Sequence, residues 1–126
     1  MRTDTISDIL TRIRNASLVK HKIVYIVASR IALEILSILK EEGFIKNFKM
    51  YNKNEIAITL NYFGNKHVCS FSNLRRISKP GLRVYVNSKN LPRVLGVALI
   101  STSFGIMTNL KAKKLGIGGE VLFEIW

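Results

Sequence analysis

An α+β fold is predicted for this chain: an N-terminal lobe of α-β-α-β-β order, then a β-rich lobe with one short helix. Three observations carry that prediction. Apolar residues recur at helical spacing in two stretches before residue 40, and alternation takes over between residues 44 and 62. Beyond residue 64 the apolar runs shorten and are punctuated by Pro80-Gly81 and Gly118-Gly119.

The first helix begins near Thr3. Ile6, Ile9, Leu10 and Ile13 fall at i, i+3, i+4 and i+7 and form one inward stripe, with Asp4 as the expected N-cap. The opposite face carries Ser7, Asp8, Arg12, Arg14 and Asn15, which suits either water or phosphate. Residues 22–28 are rich in β-branched and aromatic residues, and read as a short buried strand. Ser29 then caps a second amphipathic helix with Ala32, Ile35, Leu36 and Leu39 inward and Gly43 as its stop. Residues 44–51 and 55–62 read as a strand pair around Asn52-Lys53-Asn54. The turn-like Phe63-Gly64-Asn65-Lys66 is the expected joint, giving lobes 1–64 and 65–126. Strands are expected in the second lobe near residues 68–71, 74–78, 82–86, 97–102 and 120–126. One short helix is expected from Asn109 to Leu115, with Gly116 as its stop.

With 48% of its 126 residues apolar and 22% charged, the chain has the composition of a folded globular protein. Its charge is unusual: twenty Lys and Arg against eight Asp and Glu give +12. Residues 1–60 hold ten basic and six acidic side chains (+4), and residues 61–126 hold ten and two (+8). Such a charge calls for an acidic partner. A phosphate backbone, which also releases condensed counterions, fits better than an anionic membrane surface. Basic residues dispersed over a soluble surface are the competing reading.

Other function classes find little support. The single Cys69 has no partner for a disulfide or a thiolate metal cluster. His21 and His67, the only histidines, fall in separate lobes by this division and lack the spaced partners of a triad or metal site, so an enzyme is not expected. Gly116-Ile117-Gly118-Gly119-Glu120-Val121 has Val where a dinucleotide fingerprint needs its third glycine. No Gly-Lys-Ser or Gly-Lys-Thr occurs, so no nucleotide cofactor or small-molecule substrate is expected. The glycines read instead as turn residues or as places of close backbone approach. No targeting segment is visible at Met1–Ile6, and no run approaches the ~20 apolar residues of a membrane span.

Two stretches suit nucleic acid. Ser101, Thr102 and Ser103 leave a strand toward Gly105. Their hydroxyls can donate and accept, as ribose 2′-OH groups, phosphate oxygens and base edges require, although a polar hairpin turn would look the same. From Arg75 to Tyr85, cations interleave with an aromatic around Pro80-Gly81, a tight turn between two strands. Arg76, Lys79 and Arg83 would clamp phosphates there, and Tyr85 would either stack on a base or ribose or bury its ring.

Three blocks closely resemble the bacterial-type, universal small ribosomal subunit protein eight family. They are residues 4–16, residues 76–85, and the C-terminal set Ile100-Ser101-Thr102-Ser103, Gly105-Ile106-Met107-Thr108 and Gly118-Gly119-Glu120-Val121-Leu122. Together they span the chain. The resemblance implies two lobes that clamp a helix of the central domain of small-subunit rRNA early in assembly, beside neighbouring ribosomal proteins. It implies RNA contacts at Ser101, Thr102, Ser103, Gly105 and Glu120, flanked by Tyr85 and the basic turn. Thr3, Asp4, Arg12, Arg14, Asn15 and Arg30 form a second tier. In bacteria such a protein can also bind its own messenger through the same surface. There are departures: the connection from Leu95 to Ser101 is shorter than the family usually shows, Phe104 stands where a cation is common, and Phe123-Glu124 replaces a usual Cys-Tyr. The lost cation and the gained Glu124 should weaken or reshape contacts at that patch. Thr5 in place of a common Pro, with Ile- and Lys-rich, Pro-poor usage, resembles plastid-encoded members over bacterial cytoplasmic ones.

Overall fold

The computed structural model describes residues 2–64, 66, 68–91 and 96–126, the first three by backbone alone. His67 and the start of the short connection at Leu95 lie outside these residues. The chain divides into two units, Met1–Ser72 and Asn73–Trp126.

In the first unit, α1 (Arg2–Leu18) buries Ile6, Ile9, Leu10, Ile13 and Ala16, as its periodicity requires. It starts at Arg2, so Asp4 lies in the first turn instead of capping it. The helix stops on Lys20 at φ +58°, with His21 N–H donating to the Ala16 carbonyl and Lys20 N–H to that of Ser17. A left-handed non-glycine residue costs roughly 1–2 kcal/mol.

β1 (Ile23–Val27) follows. α2 (Arg30–Glu41) is capped by Ser29, whose hydroxyl accepts from Ala32 N–H at 3.1 Å, and ends at Gly43. β2 (Ile45–Met50) and β3 (Glu55–Leu60) pair antiparallel around a turn in which Asn52 Oδ1 accepts from Asn54 and Glu55 N–H. The sheet order is β1-β3-β2, with α1 packed on β1 and α2 on β2. β1 was expected to be buried, but only Val24 and Ile26 are. Ile23, Tyr25 and Val27 face out because β1 is an edge strand with helices on one face.

The expected joint at residues 64/65 falls inside a hairpin of β4 (Tyr62–Phe63) and β5 (Val68–Cys69). Ser70 ties this hairpin to the first unit: its N–H donates to the Asn61 carbonyl and its hydroxyl to that of Phe44. The division therefore comes after Ser72.

The second unit is one sheet of β6 (Leu74–Arg76), β7 (Tyr85–Val86), β8 (Val97–Thr102), β9 (Gly105–Thr108) and β10 (Gly119–Ile125). β10 is central, with β8 and then β9 on one side. Ala98, Ile100 and Val121 form a buried cluster against which Ile77, Val86 and Leu91 pack. α3 (Asn109–Leu115) stops at Gly116, as expected, and the structure adds Thr108 as its N-cap. β9 has no counterpart in the sequence reading.

The two strands expected to pair around Pro80-Gly81 do not pair with each other. β6 and β7 both pair antiparallel with β10, β6 at residues 123–125 and β7 at residues 119–120. Ile77 N–H donating to Leu122 O, and Val121 N–H donating to Val84 O, carry the ladder up to both sides of the interruption. The segment is thus one edge strand from which residues 78–83 loop out. The Pro-Gly signal is satisfied at the tip alone, where Lys79 and Leu82 exchange both backbone hydrogen bonds.

Candidate nucleic-acid interface

Register places Tyr85, Glu120, Ser101 and Ile106 opposite one another on β7, β10, β8 and β9. Cross-strand partners share a face, so these four side chains form a row roughly 14 Å long at about 4.8 Å per strand step. The next row, Val121, Ile100 and Met107, lies on the opposite face and is buried.

Two glycines let the strands close on this row. A Cβ on Gly118 would stand 2.2 Å from the Val86 carbonyl oxygen, and one on Gly119 would stand 2.1 Å from that of Ser101. Of the two readings open for these glycines, this pair serves close approach.

Glu120 is 3% exposed, and Arg83 Nη1 lies 3.4 and 3.3 Å from its two carboxylate oxygens. The buried charge is paired by a guanidinium brought in from the looped-out segment. It can act as an acceptor without presenting a bare anion to phosphate. Ser78 closes the base of the loop: its buried hydroxyl accepts from Val84 N–H at 3.0 Å. Arg76 Nε donates to the Ser78 carbonyl at 2.6 Å, so this cation is part of the loop's framework. Lys79 is exposed beside the tip.

The three hydroxyls of the β8–β9 turn differ in role. Thr102 Oγ1 donates to Gly105 O at 2.8 Å and accepts from Phe104 N–H at 3.1 Å, so it is used within the turn. Gly105 has φ +106°, a conformation open to glycine. Ser101 is half-buried in the row. Ser103 is exposed, and its hydroxyl has no hydrogen bond among the described residues.

The second-tier residues lie in the first unit. Arg12 pairs with Asp8 at 3.0 Å and reaches the Tyr25 carbonyl at 3.4 Å. With Asn15 it lines an open groove of about 410 Å³ beside β1, where His21 also stands. Arg14 is half-buried and does not line it, and Arg30 is exposed at the start of α2. The side chains of Thr3 and Asp4 lie outside the described residues. Among the described residues no helix is long and apolar enough to cross a membrane.

The family model for ribosomal protein S8 matches residues 4–126. The chain belongs to the ribosomal protein S8 family. Over the whole length of both chains it is 59% identical to the small ribosomal subunit protein uS8c of Phaeodactylum tricornutum. It is 50% identical to uS8c of Pyropia yezoensis and to uS8 of the cyanobacterium Thermosynechococcus vestitus, in each case over 98% of this chain and 97% of the relative. Names of the chloroplast form recur among these relatives, and the chain is a plastid-type S8 member, as its sequence leads one to expect.

Within this S8 chain, sequence reasoning passed over Ser78, Gly118 and Gly119 as individual site-shaping residues. Ser78 gives no signal, because its partner Val84 is fixed only once the loop closes. The adjacent glycines ahead of an apolar strand were a signal, since a turn needs one such residue and two in a strand indicate crowding.

Proposed function

We propose that this chain is a structural, non-catalytic constituent of the plastid small ribosomal subunit that binds the central domain of small-subunit rRNA directly and supports its assembly. The polar end of the second unit's sheet is its main contact, and the α1 face with Arg30 a second. Neighbouring ribosomal proteins are its other partners. The observation that carries this reading is the row Tyr85-Glu120-Ser101, continued by the unpartnered hydroxyl of Ser103. Acceptors, hydroxyls and an aromatic lie at one end of the sheet, with Lys79 and Arg83 on the adjoining loop. A-form RNA offers a shallow minor groove lined with 2′-hydroxyls and base edges, which such groups recognise, while the cations bind phosphate.

The test is a titration of the purified chain with a central-domain rRNA fragment and with an unrelated duplex of equal length, at several salt concentrations. The fragment should bind more tightly throughout, and both affinities should fall as salt rises. Equal affinity for the two would leave only a basic protein.

A further inference from the structure

We propose that Phe104 is a stacking site for an unpaired nucleobase of the RNA bound at the polar row, an assignment that rests on the function just proposed. Phe104 is 77% exposed at the tip of the β8–β9 hairpin, so its ring contributes little to the core. The backbone beneath it is nevertheless held on both sides. Thr102 Oγ1 accepts from Phe104 N–H and donates to Gly105 O, and Gly105 closes the turn at φ +106°. A ring presented on a pinned turn loses little freedom when it is covered, which favours binding.

The surroundings select the occupant. From residue 73 onward the acidic residues are Glu120, buried against Arg83, and Glu124, whereas Lys79, Lys111, Lys113 and Lys114 are exposed. This charge selects a polyanion. A regular duplex offers only base edges and backbone, because neighbouring pairs cover the flat faces. A solvent-facing phenyl ring therefore finds an apolar face only at an unpaired or splayed base. Beside the ring stands Ser103, with its unpartnered hydroxyl. Tyr85, 67% exposed, offers a second aromatic roughly 10 Å from Ser101, two strand steps away. Stacking is insensitive to salt, so the ring supplies contact where a cation would supply a screened one.

The test uses the full chain and the central-domain rRNA fragment. F104A and F104L should each bind about 5- to 150-fold more weakly, the range for one base–aromatic stack, with an unchanged slope of log affinity against log salt. F104L keeps the apolar surface and removes the aromatic face, which separates stacking from simple burial. F104W should retain affinity, and its emission should be quenched on binding beyond any change shown by the native chain, whose single tryptophan is Trp126. F104K should steepen the salt slope by about one unit. Native-like affinity in F104A or F104L would overturn the assignment alone. F104A that keeps its RNA affinity yet fails to enter the small subunit would also overturn it, placing the ring against a protein. A native chain with no preference for the fragment would overturn the underlying function and the assignment together.

Discussion

Replacing Gly119 by Ala should be far more damaging than replacing Gly105 by Ala, although both residues border the same turn. An added Cβ at Gly119 would lie 2.1 Å from the Ser101 carbonyl oxygen and 2.9 Å from its carbon, about 1.3 Å inside the 3.4 Å at which ordinary contact begins. Both obstacles are backbone, so β8 and β10 would have to part at a point where strands are spaced about 4.8 Å. Overpacking costs about 1–3 kcal/mol, and this site belongs at the upper end. One or two ladder hydrogen bonds at about 0.5–1.5 kcal/mol each bring the loss to about 3–5 kcal/mol. At Gly105 a Cβ meets nothing within 4 Å, so only the positive φ is penalised, at about 1–2 kcal/mol. For a chain of this length each kcal/mol lowers Tm by about 3–5 °C. Gly119→Ala should therefore fall by roughly 10–25 °C and Gly105→Ala by roughly 3–10 °C. Thermal unfolding of both variants by circular dichroism makes the comparison. Equal losses, or a Gly119→Ala loss within about 0.5 kcal/mol of zero, would refute the close approach.

Arg76→Ala should lose about 1.5–3 kcal/mol of stability, because Nε bonds the Ser78 carbonyl in a partly buried site; denaturant unfolding measures it. Lys79→Ala should leave stability unchanged and lower the salt slope of RNA binding by about one unit if it neutralises one phosphate. A slope change without a stability change in Arg76→Ala would reverse these roles. Tyr62 has its phenol pKa raised above 10.0 by burial and then by the charge of Cys69, while its hydroxyl donates to the His21 carbonyl at 2.6 Å. A raised folded-state pKa means that the unfolded chain ionises first. The stabilisation is therefore intact below pH 10 and is lost as pH climbs through the folded value. Tm should fall less steeply above pH 10 in Tyr62→Phe than in the native chain, and identical curves would count against this coupling.

The helices were readable because their signals are local. The stripe Ile6, Ile9, Leu10 and Ile13, the Ser29 cap and the Gly43 and Gly116 stops each act within a turn or two of themselves. What escaped depended on distant partners. Pro80-Gly81 is a true turn, but whether its two legs pair with each other is decided by β10, some forty residues on, which takes both. β1 has the composition of a buried strand, yet three of its five residues are exposed, because whether one or both faces of a sheet are covered is a property of the assembled fold. Phe63-Gly64-Asn65-Lys66 looks like a joint, yet the N–H and hydroxyl of Ser70 bond back to Asn61 and Phe44 and draw the hairpin into the first unit. In the site, the hydroxyl run and the basic segment announced themselves by composition. Only register shows that Glu120 lies between Tyr85 and Ser101, and that Thr102 is already committed to its turn.

The most direct measurement of specific recognition at the polar row is Ser103→Ala, which removes one exposed hydroxyl and no charge. Native and variant chains are titrated with the central-domain rRNA fragment and with a scrambled duplex across a range of salt, after circular dichroism confirms that both are folded. Affinity for the fragment should drop by about 1–3 kcal/mol, the cost of leaving an RNA group unpaired at an interface, with the salt slope unchanged and the scrambled duplex bound as before. Equal losses on both RNAs, or no loss on either, would contradict a specific reading of RNA by this turn.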